Sequence, residues 1–153
     1  MAEFHNTSIR NLVYRLRKFK PVLESALKDE IETYADFLTD SVCIQLNMGI
    51  DGFYDEIQPP YAPRTIRNKF RKGQPTDRVT LRDTGDFYSS LHVEFDNDGF
   101  RIVSNDDKAK YLIAKYGKAI LRLSDDDLTR FLRLYIRPAL TYRMKQYLKN
   151  GGT

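Results

Sequence analysis

The chain has 153 residues, of which 41% are hydrophobic and 30% are charged, and its formal net charge at pH 7 is +4. This composition is typical of a globular domain that can bury a core of its own, and it excludes a disordered chain. No apolar run approaches the roughly 20 residues that a membrane-spanning helix needs, so we expect no membrane partner. The N-terminus also lacks the pattern of a secretion signal, so we expect the protein to act where it is made.

Cysteine and histidine are too sparse for the common metal and redox sites. Cys43 is the only cysteine, so the sequence predicts no intrachain disulfide and no thiolate metal site. His5 and His92 lie far apart, and neither has a second His or Cys at ligand spacing. We therefore predict no catalytic residues, no metal site, no cofactor and no small-molecule substrate.

Helical periodicity dominates the first 48 residues. Thr7 or Ser8 is placed to cap a first helix, and Pro21 is expected to separate it from the next, because proline disfavours helical geometry in the residue before it. A second helix of about 26 residues, the longest predicted, should run from Pro21 to Met48. Gly49 should end it in a left-handed conformation.

An aromatic-rich loop follows this helix. Rings of this size bury much area when they dock, so we expect the loop to lie against the core rather than to act as a flexible linker. Its large apolar and aromatic side chains are Phe53, Tyr54, Ile57 and Tyr61.

The segment 59–82 is flanked by prolines and strongly basic, and the rest of the chain is arranged around it. A short helix is predicted to open at Pro63, with Ile66 and Phe70, one turn apart, as its inward anchors. Residues 73–80 should form an exposed arm that stays mobile until a partner orders it. The sequence thus predicts a protruding basic loop over 59–82.

The tripeptide Asp83-Thr84-Gly85 ends this segment. Thr84 is predicted to cap a short helical turn that leads to Leu91. The same tripeptide occurs in aspartic proteases, where two carboxylates share a proton. The helix-like continuation and the absence of a second such motif favour a structural role.

A β-hairpin is the clearest local prediction. Residues 92–95 and 100–104 alternate between apolar and polar side chains on either side of an Asn-Asp-Gly turn. A two-stranded ribbon is marginally stable alone, so further strands from this chain or from a neighbouring subunit should complete it. The long helix should cover its apolar face.

The C-terminal third predicts helices again. One helix is expected over 106–116, followed by a third strand or an extended connection over 119–123. Ser124 and Asp127, three residues apart, resemble a capping box that opens the last helix. Pro138 lies inside that helix and should kink it or split it.

Together these elements predict an α+β fold in a single domain over residues 1–153. Long N-terminal helices and a C-terminal helix should pack on a small antiparallel sheet that contains the hairpin, with the basic loop extending from it. Residues 1–6 and 149–153 are expected to be flexible.

The order of residues over 59–91 resembles the bacteriophage tail-completion and head–tail joining proteins, also called virion morphogenesis proteins. The pattern is P-P-Y-A-P-x-T-I-x-x-K, then a basic stretch ending in K-G, then L-x-D-T-G-x-F-x-x-S-L. The resemblance extends more weakly over roughly residues 45 to 148 and departs from the family pattern at 111–117. The matching positions are Pro63, Thr65, Ile66, Lys69, Gly73, Leu81, Asp83, Thr84, Gly85 and Ser90.

The resemblance implies a non-enzymatic structural protein of a tailed phage particle, at the head–tail junction or the tail terminus. It would be assembled in the host bacterial cytoplasm and located in the virion. Its partners would be other copies in a ring, neighbouring neck or tail proteins, and DNA in the channel. Opposite charge patches along the chain are suited to edge-to-edge assembly.

Two other functions stay open at this stage. In a nucleic-acid-binding module, basic side chains would contact phosphates while Tyr61 or Phe70 stacks on bases. The candidate contact residues, whether for protein or nucleic acid, are Arg64, Arg67, Lys69, Arg71, Lys72, Arg78, Arg82 and Tyr61. A metal-dependent nuclease is the third interpretation, although nothing in the spacing of its residues requires it. Its candidates are Asp83, Asp86, Glu94 and Lys69.

Overall fold

The computed structural model describes residues 9–97 and 99–150. The arrangement is α+β, as predicted: helices account for most of the described chain, together with one antiparallel hairpin. The chain divides into two compact units. Unit 1 contains the described residues up to Thr33 and from Leu132 onward, and unit 2 is the continuous stretch Tyr34–Phe131. None of the described helices is long and apolar enough to cross a membrane.

Unit 1 is a pair of helices from the two ends of the chain. Helix α1 (Ile9–Thr33) packs against α7 (Arg137–Lys149), which is preceded by a π-helical segment, Leu132–Ile136. The rings of Phe19 and Tyr147 lie with their centroids 4.8 Å apart.

The predicted break at Pro21 is wrong. Helix α1 continues through this proline, although an interior proline removes one backbone hydrogen bond. Phe19 and Ala26, seven residues apart on either side of it, are both buried, and this shared packing face holds the helix together. The second helix accordingly begins at Ala35 rather than at Pro21 and is shorter than α1. The predicted cap at residues 7 and 8 lies outside the described residues.

Helix α2 (Ala35–Met48) supplies the central core of unit 2. Its apolar side chains Leu38, Val42 and Leu46 are fully buried, and the helix lies against the first strand. It ends at Gly49, whose φ of +80° lets its N–H return to the last turn, as predicted.

The predicted hairpin is confirmed. Strands β1 (Leu91–Asp96) and β2 (Gly99–Ser104) pair antiparallel, with Val93 opposite Ile102 and Phe95 opposite Phe100. In the described part of the chain this sheet has two strands. Completion by a neighbouring subunit stays a prediction.

The third strand predicted over 119–123 is wrong. Lys118–Leu121 forms a 3-10 helix. The backbone oxygens of this stretch accept hydrogen bonds from groups outside any strand. The oxygen of Ala119 accepts the N–H of Gly52 at 3.0 Å, and that of Arg122 accepts from the side chain of Gln45.

The remaining helices of unit 2 are short. They are α3 (Pro63–Arg71), α4 (Asp86–Ser89), α5 (Ala109–Tyr116) and α6 (Asp125–Phe131). Helix α5 begins three residues later than predicted, because the Asp106 carboxylate accepts the N–H of Lys108 at 2.7 Å and forms a turn.

Two predictions about the last helices are confirmed. Ser124 Oγ accepts the N–H of Asp127 at 3.1 Å and thereby caps α6. Pro138 lies at the start of α7, and the π-helical segment before it splits the predicted final helix.

The aromatic loop is only partly docked. Ile57 is buried, in agreement with the prediction that the loop lies against the core, but Phe53 and Tyr54 are 61% and 52% exposed. The carboxylate of Asp51 accepts the N–H groups of Phe53 and Asp55, and this tight turn directs the two rings outward.

Gln45 joins α2 to the connection before α6. Its side chain is buried; Nε2 donates to the Arg122 oxygen at 3.0 Å, and Oε1 accepts the Ser124 N–H at 2.9 Å. One amide therefore satisfies two backbone groups that would otherwise be buried without partners.

Gln45→Leu should lower the free energy of unfolding by about 2–4 kcal/mol, because it leaves both backbone groups unsatisfied. Urea denaturation at neutral pH measures this change. Gln146→Leu, at an exposed position of α7, is the matched control and should change stability by less than about 0.5 kcal/mol. Equal effects of the two substitutions would contradict the bridging role.

Candidate interaction site

The basic segment is folded back on unit 2 at its C-terminal end. The hydroxyl of Tyr61 accepts the N–H groups of Thr80 and Leu81 at 2.9 and 3.0 Å. Val79, Thr80 and Leu81 are buried, so the prediction of an exposed arm through Thr80 is wrong there. Leu81 has a left-handed φ of +54°, a strained conformation for a bulky side chain, and the hydrogen bond that its N–H donates to Tyr61 stabilises it.

Lys69 is buried, with 5% of its surface exposed. Its Nζ donates to Gln74 Oε1 at 3.1 Å and to the Arg82 oxygen at 2.5 Å, and it lies 4.9 Å from the centre of the Tyr61 ring. Among the described residues no carboxylate lies within ion-pair distance of it. Lys69 therefore fastens α3 to the Gln74–Arg82 stretch and is buried there, and its role as a contact residue stays a prediction.

The orientation of α3 is the reverse of the predicted one. Ile66 and Phe70, expected to be inward anchors, are 37% and 78% exposed, whereas Lys69 faces the interior. A lysine can replace an apolar anchor here because its long stem packs while its ammonium finds two oxygens and a ring.

The outward side of α3 carries the basic side chains together with the exposed ring. Arg64, Arg67 and Arg71 are exposed, and Phe70 lies between the last two in sequence. Because residues three and four apart are neighbours on a helix, these four side chains share one face. We call Arg64, Arg67, Phe70 and Arg71 the α3 outer surface.

Two further cations of the segment have structural partners. Arg78 Nε donates to the Asn47 oxygen at 2.9 Å, and its guanidinium pairs with Asp77 at 2.8 Å. The guanidinium of Arg82 lies 6.0 Å from the centre of the Tyr88 ring, and burial raises the pKa of that tyrosine. Of the two, Arg82 is the more exposed and can contact a partner.

Lys72 closes the turn after α3. Its ammonium forms an ion pair and hydrogen bond with the Asp83 carboxylate, and this bond lowers the pKa of Asp83. Gln74 Nε2 donates to the Asp83 oxygen at 2.7 Å, while Gly73 turns the chain with a φ of +63°.

The Asp-Thr-Gly turn forms differently from its prediction. Gly85, with a φ of +105°, is the residue that precedes α4, so the predicted cap by Thr84 is wrong. Thr84 donates instead to the Asp86 carboxylate at 2.5 Å. Ser90, the last matching position, contacts Ser104 through its hydroxyl at 2.6 Å and so links the turn to β2.

The motif residues that open α3 also have structural positions. Pro63 is the first residue of the helix, where its missing N–H costs nothing. Thr65 is half-buried on the side that faces a groove.

This groove, of about 520 Å³, lies between α3, the stretch Leu81–Asp83 and α5. We call it the basic groove. The charged residues that line it are Lys69, Arg71, Lys72, Arg82, Asp83 and Lys115. Sequence reasoning missed Lys115, because it lies more than 30 residues away in the chain and only the fold places it here.

The four residues of the nuclease interpretation each have another partner. Asp83 pairs with Lys72, Asp86 accepts from Thr84, Glu94 pairs with Arg101 at 3.0 Å, and Lys69 donates to Gln74 and to the Arg82 oxygen. Within residues 9–97 and 99–150, no three His, Cys, Asp or Glu side chains are grouped so that they could hold a metal ion.

Comparison with known proteins identifies no homologue. No protein-family model, no curated protein and no solved structure matches this chain. The resemblance to head–tail joining proteins therefore stays a prediction.

Tyr61→Phe should lower the free energy of unfolding by about 1–3 kcal/mol, because the N–H groups of Thr80 and Leu81 lose their acceptor. Hydrogen exchange should show these two amides becoming the most accelerated ones. Tyr111→Phe, on an exposed ring, is the control and should change neither quantity. Unchanged exchange at Thr80 and Leu81 would contradict the assigned bonds.

Proposed function

We propose that this protein is a structural, non-enzymatic component of a tailed bacteriophage particle that works through contacts between its copies and with neighbouring neck or tail proteins. The observation that carries the proposal is the α3 outer surface, where Phe70 is 78% exposed beside Arg67 and Arg71. Its place at the head–tail junction or the tail terminus is inferred from the sequence resemblance.

An exposed phenylalanine beside arginines is typical of a surface that binds another protein. Aromatic residues and arginine are enriched at interfaces and supply most of their hot spots. Burying one such ring is worth roughly 1.5–3 kcal/mol. Since Lys69 already fixes α3, little conformational freedom is left to lose when a partner binds.

Helix α2 offers a surface of the opposite charge. Asp36, Asp40, Ile44 and Met48 recur every four residues along it and are all exposed, the last two at 61% and 58%. We call these four residues the α2 outer stripe. It pairs apolar side chains with carboxylates, as the α3 outer surface pairs an aromatic ring with guanidinium groups.

Two different, complementary surfaces on one chain favour head-to-tail assembly. In such a contact the α3 outer surface of one copy meets the α2 outer stripe of the next, and the copies form a ring when the rotation closes. Completion of the two-stranded hairpin by a strand from another copy is a second route, because strands can pair across chains at the edge of a sheet.

Phe70→Ser should weaken self-association at least about tenfold, because it removes roughly 1.5–3 kcal/mol of apolar burial from the contact. Sedimentation velocity over a range of protein concentrations measures this. Tyr111→Ser removes a comparably exposed ring from α5 and should leave association unchanged.

A charge-reversal pair tests which surfaces meet. Arg67→Glu and Asp40→Lys should each weaken association when present in every copy, and the double variant should restore part of the loss. A wild-type protein that stays monomeric at high concentration, or a Phe70→Ser variant that assembles normally, would contradict the proposal.

Nucleic-acid binding is the second candidate function, and the same exposed ring favours it. Phe70 can stack on a base while Arg64, Arg67 and Arg71 contact phosphates. Tyr61 cannot take that role in this fold, because its hydroxyl and ring already contact Thr80, Leu81 and Lys69.

If these three arginines bind a single strand, the affinity should fall with salt with a log–log slope of about −2, because each neutralised phosphate contributes roughly −0.7. Fluorescence anisotropy of a labelled oligonucleotide between low and moderate salt measures the slope. Absence of oligonucleotide binding at low salt would exclude this second function, and self-association under the same conditions would then support assembly as the function of the surface.

A further inference from the structure

We propose that the basic groove is a binding site for the phosphate group of a phosphate ester. This site goes beyond the assembly contact: its walls include Leu81–Asp83 and α5, and only Arg71 belongs to both the groove and the α3 outer surface. The phosphate group belongs either to a nucleic-acid strand or to a free nucleotide. In the first case the proposal rests on the second candidate function and names the site that would hold the strand.

The first reason is the unbalanced charge of Lys69. Charged side chains are seldom buried unless they are paired, yet this ammonium, on a residue that is 5% exposed, bonds only to two neutral oxygens. The carboxylate of the groove, Asp83, forms its ion pair with Lys72, so an anion bound in the groove would give the Lys69 ammonium a charged partner in direct contact.

The second reason is the charge of the groove as a whole. Five cations and one carboxylate line it, and that carboxylate, on Asp83, is already paired with Lys72. The resulting excess of four positive charges equals the formal net charge of the entire chain. A concave surface with charges of one sign concentrates the potential and attracts counter-ions.

The convergence of these cations is a property of the fold. Lys69 and Arg71 come from α3, Arg82 from the strained stretch after Leu81, and Lys115 from α5. Arg71, Arg82 and Lys115 form no ion pair with any carboxylate of the described residues. Three separate segments therefore present cations without acidic partners to one cavity.

The chemistry and size of the groove favour a phosphate ester. Guanidinium groups match phosphate oxygens in a fork, and ammonium groups contribute point charges. The volume of about 520 Å³ lies within the range of small-ligand sites and exceeds what a bare phosphate ion fills. Leu112 and Tyr116 line the same cavity and can contact the organic part of the ester.

The test uses the full chain at low salt and three phosphate probes: inorganic phosphate, a nucleoside monophosphate and a single-stranded oligodeoxynucleotide of the same base. A glutamate-rich peptide is the probe without phosphate. Isothermal titration calorimetry measures affinity, and amide chemical shifts locate the bound probe. We expect the monophosphate or the oligonucleotide to shift the amides of Arg82, Lys115 and their neighbours.

The variant pair Arg82→Glu/Lys115→Glu should weaken binding of the ester at least tenfold. Lys145→Glu/Lys149→Glu makes the same change of charge at two exposed positions of α7 outside the groove and should weaken it less than threefold. Urea unfolding checks that both proteins fold, and Arg82→Gln/Lys115→Gln replaces the first pair if it does not.

The probes distinguish the source of the phosphate. Tighter binding of the oligonucleotide than of the monophosphate assigns the groove to a nucleic-acid strand, and equal or weaker binding assigns it to a free nucleotide. Self-association should be normal in the groove variants and impaired in Phe70→Ser. Ester binding therefore tests the groove, and self-association tests the assembly function separately.

Four results would overturn the proposal. These are absence of binding for every probe, binding of inorganic phosphate alone, equal losses in the two glutamate pairs, and a glutamate-rich peptide that binds as tightly as the oligonucleotide. Equal losses would show that binding follows the net charge of the protein and not the groove.

Discussion

The orientation of α3 depends on one buried ammonium group. Lys69 must find hydrogen-bond acceptors once it leaves water, and it finds them on Gln74 and on the backbone of Arg82. These bonds bring the chain after the helix back against it, next to the point where Tyr61 holds Thr80 and Leu81. Because neighbouring residues of a helix point in different directions, Phe70 is directed into solvent when Lys69 is directed inward.

The same rotation gives α3 two faces with different chemistry. Outward, a phenyl ring among arginines offers apolar area and charge to another protein. On the other side, five cations line a cavity that contains a single carboxylate, that of Asp83. A protein that assembles around a nucleic acid could use both, because one surface would hold its copies together while the other contacts phosphates.

Local signals made part of this structure predictable. The hairpin, the stop at Gly49, the cap at Ser124 and the split at Pro138 each depend on a few neighbouring residues and were predicted from them. The failures concern tertiary partners: packing on both sides of Pro21, the bonds of 119–123 to distant groups, and the burial of Lys69. Nothing in the sequence distinguishes Lys69 from the arginines around it as the residue that will be buried. Nor does the sequence around Lys115 indicate which distant residues it will lie beside.

The division of the chain into units has a consequence for its synthesis. Unit 2 is one uninterrupted stretch, whereas α1 packs against α7, which lies at the other end of the chain. At roughly 5–20 residues per second, a ribosome needs several seconds to make the hundred or so residues between them. The Phe19–Tyr147 contact that joins the two helices can therefore form only after all of unit 2 has been made.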